Sequence, residues 1–408
     1  MIAHLLNRPR LVPTLALFFP TIVLTCLLAG CGPHKNTPDY NPPQALNVNT
    51  FTRTWSSPVG TGNGQITRVY AQGNFVFAYT TNGTVYVLDR NDGHIIGINN
   101  IAEAARAGGR LHAPVVLKDA IIYPTSTSLE IYNLDATFNR SKNLHYSVRS
   151  DAVGSGRYLY YGADYTNGGR LVESDVDSRL DHRQELMFPK VSVSSRPVVI
   201  GDIVYCAAEN GDVVAVSTDT FHAMWALPHG TFHTYGAVVA NLIADEANLY
   251  IASTDSTLYC IARNNAKVKW QYQASVPLRE TPAVTKDTVF VAVPEVGLVA
   301  ISKDAGEYNR RPKWVAPGIT EFLGVDDQHI YGRRTDNAIV AMDKNSGQVM
   351  FTSARPDFTA FVPNQDGNMI YAATKSGRVM AIKPVLTPGG MGEVVMAPVK
   401  GEEIASSR

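Results

Sequence analysis

The chain has 408 residues, with 36 lysines and arginines against 36 aspartates and glutamates, and 45% of its residues are hydrophobic. Zero formal charge argues against nucleic acid as the main partner, and the lack of any long like-charge block argues against a polybasic membrane patch. The hydrophobic content excludes bulk disorder, while the length allows one large domain or two to three ordinary ones.

The first thirty residues have the pattern of an export signal. Arg8 and Arg10 precede an uncharged apolar stretch over residues 11–28, which is typical of a secretory signal peptide. The alternative is a retained transmembrane helix, because the stretch is long enough to span a bilayer. Pro13 and Pro20 interrupt that stretch and favour the signal peptide.

The end of this segment, Leu28-Ala29-Gly30-Cys31, resembles the lipobox of bacterial lipoproteins. That resemblance implies removal of residues 1–30 and lipid on the sulfur of Cys31. Because Gly32 rather than aspartate follows, it also implies an outer-membrane destination facing the periplasm if the host has two membranes. Since residues 1–30 contain two arginines and no acid, the mature chain would have 378 residues and a formal charge of −2.

The remaining chain divides into three parts. Residues 31–50 are polar and rich in Pro and Asn, and they predict a flexible tether. Residues 51–384 are predicted to fold, and residues 385–408 lack periodicity and predict a mobile tail. Cys206 and Cys260 lie inside apolar strand-like runs, which predicts buried small hydrophobic residues; a disulfide is the alternative in an exported protein.

One pattern recurs eight times in residues 51–384: an apolar strand centred on an aromatic residue, a polar turn and a second apolar strand. The aromatic markers are 42 residues apart on average, which is the length of a propeller blade. The markers are Phe77, Tyr123, Tyr160, Tyr205, Tyr250, Phe290, Tyr331 and Tyr371.

Two further strands complete each unit. A short apolar run such as Ala113-Pro-Val-Val precedes most units, and an outer strand with an aromatic residue such as Trp225 or Trp270 follows. Four strands per unit predict an all-β, eight-bladed propeller with antiparallel blades. The irregular third unit, residues 158–175, leaves seven blades as the alternative. The last unit lacks an outer strand, so the N-terminal strand with Trp55 is expected to close the ring.

The turns fit this architecture. Asp89 to Gly93 and Asp343 to Gly347 both begin with aspartate and end with glycine. The aspartate side chain caps the turn, and glycine supplies the positive φ that closes it. A structural role accounts for these residues.

The repeat resembles the PQQ-like repeat over residues 51–383, and the lipobox with a closing N-terminal Trp strand resembles the BamB family of outer-membrane β-barrel assembly lipoproteins. Thr54-Trp55-Ser56 fits the start of that family, and Val268-Lys269-Trp270 fits one of its blade ends. The family has a partner-contact loop containing Leu-Arg, for which Leu278-Arg279 is the nearest match in a shorter loop. The run after Tyr331 lacks the family's acidic, glycine-rich segment.

The competing class is a PQQ- or metal-dependent oxidoreductase on the same propeller. Resemblance to quinoproteins would require adjacent cysteines, a stacking tryptophan, calcium ligands and a catalytic aspartate, and no two cysteines adjoin here. Sites on such scaffolds lie in loops, and the predicted loops are short.

Three smaller clusters of residues have some features of functional sites. The candidates are His222, His229 and His233 for zinc, Asp175, Asp177 and Asp181 for calcium, and Ser194 with Ser195 for a hydrolase. None shows the full ligand or triad pattern, so solvated loops and turns are favoured. Residues 101–110 predict a short helix that covers loop surface or, alternatively, docks a partner.

The sequence therefore predicts a monomeric, non-catalytic protein-interaction scaffold, lipid-anchored at Cys31, with no cofactor, metal or nucleic acid. The expected partners are the membrane and other proteins, among them the outer-membrane β-barrel insertase. Binding by strand addition at a blade edge is one expected mode.

Overall fold

The computed structural model describes residues 51–60, 62, 64–101, 110–178, 182–227, 230–303, 308–353, 358–362 and 369–384. The export signal, Cys31, the tether, residues 102–109 of the expected helix and the expected tail lie outside this range. No helix in the described residues is long and apolar enough to cross a membrane.

The described residues form eight antiparallel sheets, called blades 1 to 8, and the prediction of an all-β, eight-bladed propeller is confirmed. Strand β1 spans Phe51–Pro58 and belongs to blade 8. Blade 1 contains β2 (Ile66–Gln72), β3 (Phe75–Thr80), β4 (Thr84–Asp89) and β5 (Ile95–Asn100), and blade 2 contains β6 (Val115–Val116), β7 (Ile121–Pro124), β8 (Ser128–Tyr132) and β9 (Phe138–Asn143). Blade 3 contains β10 (Ser147–Val148), β11 (Val153–Ser155), β12 (Tyr158–Tyr165), β13 (Gly168–Asp175) and β14 (Gln184–Pro189). Blade 4 contains β15 (Val198–Ile200), β16 (Ile203–Ala207), β17 (Asp212–Ser217) and β18 (Thr231–His233). Blade 5 contains β19 (Ile243–Ala244), β20 (Asn248–Ala252), β21 (Thr257–Ala262) and β22 (Val268–Gln273), and blade 6 contains β23 (Ala283–Val284), β24 (Thr288–Val293), β25 (Gly297–Ser302) and β26 (Trp314–Ala316). Blade 7 contains β27 (Ile319–Val325), β28 (His329–Arg334), β29 (Ile339–Asp343) and β30 (Val349–Thr352). Blade 8 contains β31 (Phe358–Val362), β32 (Ile370–Thr374), β33 (Arg378–Pro384) and β1.

The N-terminal strand closes the ring, as predicted. β1 pairs antiparallel with β33, from Phe51 opposite Pro384 to Pro58 opposite Arg378, and becomes the outer strand of blade 8. The Trp55 indole is buried in a hydrophobic cluster that joins blade 8 to blade 1. Closure leaves no free outer edge on β33, which lowers the risk of strand-to-strand aggregation.

The core is divided among the interfaces between neighbouring blades. Eight hydrophobic clusters, one for each interface, are built from the two faces that adjoining blades turn toward each other. The eight aromatic markers are all buried, with at most 3% of their surface exposed. The core is therefore a ring of similar layers rather than one central cluster.

Blade 3 is a true blade with a divided innermost strand, which excludes the seven-blade alternative. Both β10 and β11 pair with β12, at its two ends. Between them the Ser150 hydroxyl accepts a hydrogen bond of 2.7 Å from the Gly162 amide, which pins the interruption to β12. This irregular innermost strand explains the weak repeat at this position.

The Asp-to-Gly turns have the predicted geometry and an additional packing role. The Asp89 carboxylate accepts a 2.7 Å hydrogen bond from the Asn91 amide, and Gly93 has a φ of 76°. The Trp55 indole packs beneath this turn and donates a 3.0 Å hydrogen bond to the Arg90 carbonyl. The Trp225 and Trp314 indoles donate in the same way to the Arg263 and Lys344 carbonyls of the next blade, at 2.7 Å and 3.0 Å.

Cys206 and Cys260 are buried free thiols, which confirms their prediction as small core residues rather than a disulfide. Burial raises the pKa of Cys206 far above its ordinary value and that of Cys260 to about 12. Both thiols are therefore protonated and unreactive at neutral pH.

Candidate functional site

The described residues enclose a polar cavity of about 430 Å³. Its lining comes from the residues that precede the innermost strands of blades 2 to 6, together with the β16–β17 turn. We call this cavity the channel mouth. The charged side chains and one hydroxyl of its lining belong to Arg110, Arg149, Asp151, Ser194, Glu209 and Arg279.

Hydrogen bonds between blades fix the floor of the channel mouth. The Ala113 amide of blade 2 donates to the Asp151 carboxylate of blade 3 at 3.1 Å. The Arg196 amide of blade 4 donates to the Asn241 side-chain oxygen at 3.1 Å, and the Asn241 amide donates to the Thr281 hydroxyl at 3.1 Å. These bonds tie blade 2 to blade 3 and blades 4, 5 and 6 to one another, which preorganises the site.

Asp151 is held as a carboxylate by its neighbours. Burial works to raise its pKa, but the hydrogen bonds from His112 and the Ala113 amide outweigh burial and place the pKa below the ordinary value. The His112 ring is buried, with Nδ1 3.2 Å from the Asp151 carboxylate and Nε2 3.3 Å from the Val148 carbonyl. Asp151 is therefore ionised at neutral pH and serves as a joint between blades 2 and 3.

A second cavity of about 550 Å³ lies at the tip of the β12–β13 hairpin and includes Asp164, Lys190 and Ser192. The Arg149 guanidinium of the channel mouth lies 3.4 Å from the Asp164 carboxylate, so one ion pair borders both cavities. The Ser192 hydroxyl donates a 3.0 Å hydrogen bond to the same carboxylate. This ion pair therefore joins the channel mouth to the β12–β13 hairpin of blade 3.

The two residues of the expected partner contact lie in different environments. The Leu278 side chain is fully buried in the cluster between blades 5 and 6, where it supports the core. Arg279 is exposed and lines the channel mouth. Of this pair, only Arg279 offers its side chain to a partner.

The other residues predicted from spacing have separate local contacts. His222 contacts the Thr220 carbonyl at 2.7 Å, and His233 contacts Asp212 at 3.0 Å. Asp175 and Asp177 are paired with Arg157 and Arg140. His229 and Asp181 lie outside the described residues. Ser195 is buried and donates to the Ala240 carbonyl at 2.7 Å.

One group with ligand-like geometry was not identified from the sequence. Asp89, Asp92 and His94 place possible ligand atoms within 4.8 Å of one another at the turn of blade 1. His94 Nδ1 lies 2.7 Å from the Asp92 carboxylate, and both side chains are exposed. Turn capping by aspartate accounts for this arrangement.

The channel mouth itself was also missed by sequence reasoning. Arg110, Arg149, Asp151 and Glu209 belong to no local motif, and only the closed ring brings them together. A usable signal exists in the repeat, because most of these residues stand a few positions before an innermost strand. Aligning the repeats and comparing that position would have identified the cavity.

Eight four-stranded blades, closed by an N-terminal Trp strand and joined by Trp-under-turn contacts, define a propeller of PQQ-like repeats. A family model described as "Outer membrane protein assembly factor BamB" matches residues 44–272, 234–314 and 273–385, and the chain belongs to this family.

Individual relatives are distant in sequence. The Outer membrane protein assembly factor BamB of Shewanella oneidensis is 23% identical over 293 residues, which cover 67% of this chain and 70% of that protein. The crystal structure of BamB from Moraxella catarrhalis is 14% identical, covers 82% of this chain and 97% of its own, and has a TM-score of 0.64. The quinohemoprotein alcohol dehydrogenase of Comamonas testosteroni is 10% identical, with coverages of 85% and 79% and a TM-score of 0.62. The two structural matches show the shared fold.

Proposed function

We propose that this chain is a lipid-anchored, non-catalytic scaffold that assists assembly of β-barrel proteins in the outer membrane. The observation that carries the proposal is the match of the BamB family model over nearly the whole propeller, residues 44–385. The rigid ring supports this role, because neighbouring blades are tied by hydrogen bonds and by Trp-under-turn packing. Such a ring presents fixed surfaces to a partner at little ordering cost.

The proposed anchor is lipid on Cys31, with the propeller facing the periplasm. Signal and lipobox patterns support export and acylation. Two chains on the sulfur and one on the new amine would hold the protein firmly at a membrane. Cys31→Ala should abolish incorporation of labelled palmitate, and an acylated band in this variant would refute the anchor.

The proposed partner is the outer-membrane β-barrel insertase, contacted in part through Arg279. Its exposed guanidinium at the channel mouth supports this choice, because arginine is over-represented at protein interfaces. Leu278 would support that surface from beneath rather than touch the partner.

Affinity capture of the acylated protein from native membranes tests the partner. The insertase should be recovered with the wild-type chain, and less of it with Arg279→Glu, because the charge reversal repels an acidic partner group. Arg311→Glu is a matched control, since Arg311 is exposed on blade 6 and does not line the channel mouth. Recovery of no insertase with the wild-type chain would count against the assembly role.

The second candidate function is that of a quinoprotein oxidoreductase, because this chain shares its fold with the Comamonas testosteroni dehydrogenase. Fold alone does not carry a function. The four cysteines at positions 26, 31, 206 and 260 include no adjacent pair, which favours the scaffold. Purified protein incubated with PQQ and Ca²⁺ should show neither a stoichiometric chromophore nor dye reduction, and the appearance of both would replace the scaffold by the enzyme.

A further inference from the structure

The lining of the channel mouth has three arginines, Arg110, Arg149 and Arg279, against two carboxylates, Asp151 and Glu209. Asp151 is hydrogen-bonded to His112 and the Ala113 amide, and Arg149 pairs with Asp164, which lies outside this lining. Among the described residues, the guanidinium groups of Arg110 and Arg279 have no carboxylate partner. Glu209 supplies the remaining negative charge of the lining.

Two buried polar atoms near the same cavity also lack partners. The Ser194 hydroxyl lines the cavity and makes no hydrogen bond within the described structure, although its oxygen is buried. The Arg196 Nε is likewise buried without a partner, and its charge acts on Asp151 in the cavity wall. Buried polar groups without partners are rare in folded proteins, and a bound water or ion is one of the explanations for them.

The size and chemistry of the cavity suit a small charged group. About 430 Å³ falls within the usual range of small-molecule sites. Guanidinium groups bind carboxylates and phosphates through paired, charge-assisted hydrogen bonds, and a serine hydroxyl adds a further donor. The interblade hydrogen bonds of the floor hold these donors in place before a ligand arrives.

From these observations we infer that the channel mouth is a binding site for an oxyanion, a carboxylate or phosphate group that bridges Arg110 and Arg279 and accepts from Ser194. The inference stands apart from the assembly role, because it concerns a ligand of the isolated propeller. The oxyanion belongs either to a free small molecule or to the end of a polypeptide, and both present the same chemistry.

Isothermal titration calorimetry of the purified full chain at low ionic strength tests the site with four probes. These are inorganic phosphate, succinate, a short peptide with a free C-terminus and the same peptide amidated. Saturable binding of phosphate or succinate identifies a small-molecule site, whereas binding of the free-acid peptide alone identifies a chain terminus. No saturable binding of any probe up to about 10 mM would overturn the inference.

Charge variants separate a specific site from general attraction. Arg110→Gln and Arg279→Gln should each weaken binding about tenfold or more, because each removes a charge-assisted contact. Glu209→Gln should strengthen binding, since it removes the unpaired negative charge beside the ligand. Arg311→Gln, on exposed blade 6 surface, should leave the affinity unchanged. Unchanged affinity in both arginine variants, or equal weakening in Arg311→Gln, would also overturn the inference.

Discussion

At the scale of single residues, two glycines with the same backbone conformation have very different surroundings. Gly93 has a φ of 76°, and a Cβ at this position would lie 2.3 Å from the Trp55 ring. Gly318 has a φ of 75°, but a Cβ there would meet nothing within 4 Å. Alanine substitutions at Gly93 and Gly318 therefore distinguish the free-energy cost of a left-handed backbone from the cost of displacing the tryptophan.

We expect Gly93→Ala to lower the free energy of unfolding by about 2–4 kcal/mol, because it adds a clash with Trp55 to the backbone strain. Gly318→Ala should cost about 1 kcal/mol from backbone strain alone. Urea denaturation of the two variants measures both losses. Equal losses would contradict the proposed packing of the indole beneath the turn.

An ion pair between blades 5 and 6 makes stability depend on pH. Lys303 Nζ lies 2.7 Å from the Asp245 carboxylate, which also accepts a 2.7 Å hydrogen bond from Tyr250. Burial acts to raise the Asp245 pKa, but these bonds prevail and lower it to about 2 from 3.8. Because the folded-state pKa is depressed, the stabilisation is present above about pH 4 and is lost as the pH falls toward 2.

Asp245→Asn should therefore reduce the melting temperature at pH 6–7, with a loss of about 1 kcal/mol, and the difference from wild type should shrink below about pH 4. Melting curves across this range measure the effect. Asp119→Asn, at an exposed turn, is the control and should show no such profile. A difference that is constant from pH 7 to pH 2.5 would contradict the ion-pair explanation.

Sequence reasoning at this scale succeeded where residue type encodes conformation and failed elsewhere. The aspartate and glycine of the turns in blades 1 and 7 were predicted correctly. The equivalent turns of blades 4 and 5 end in Phe221 and Ala266, with φ values of 55° and 56°. Phe and Ala do not prefer the left-handed region of φ, so tertiary packing imposes this conformation. The local sequence therefore does not predict it.

At the scale of elements, the closing strand β1 is the least local part of the fold. It pairs with β33, more than 300 residues away in the chain, and its indole hydrogen-bonds to the turn of blade 1. A cationic residue strengthens the same junction, because the Arg90 guanidinium stacks on the Tyr371 ring at 5.5 Å and donates to its hydroxyl at 2.9 Å. Blade 8 and blade 1 are therefore joined by hydrogen bonds, packing and a cation–π contact.

Hydrogen exchange measured by mass spectrometry tests this closure. Amides of β1 and β33 should be protected together in the wild-type chain, and Trp55→Ala should raise exchange in both strands, because it removes the buried anchor of β1. Trp314→Ala is the matched control: its indole makes the same type of bond, to the Lys344 carbonyl at 3.0 Å, and its effect should fall on blades 6 and 7. Rapid exchange of β1 in the wild type would show that the ring is open.

The elements were largely predictable because the repeat encodes them eight times. The marker aromatics, the Asp-to-Gly turns and the trailing tryptophans define inner and outer strands without any tertiary information. The channel mouth was not predictable in this way. Its residues are contributed by five blades, so their proximity depends on the ring rather than on any segment.

At the scale of the whole molecule, the fold pairs many of the charges of a chain whose formal charge is zero. The charges are paired mainly within blades and between neighbours, as in Arg183 with Glu173 and Lys303 with Asp245. The channel mouth differs, because three arginines line it against two carboxylates. Under the proposed function, membrane attachment therefore depends on the lipid at Cys31 rather than on the charge of the propeller.

The most direct test of the assembly role is the amount of folded β-barrel protein in outer membranes of the native host after deletion of this chain, measured by heat-modifiable gel mobility. The amount should fall, and the wild-type chain should restore it, whereas Cys31→Ala, which lacks the proposed anchor, should restore less. Unchanged levels of folded β-barrel proteins in the deletion strain would contradict the assembly role.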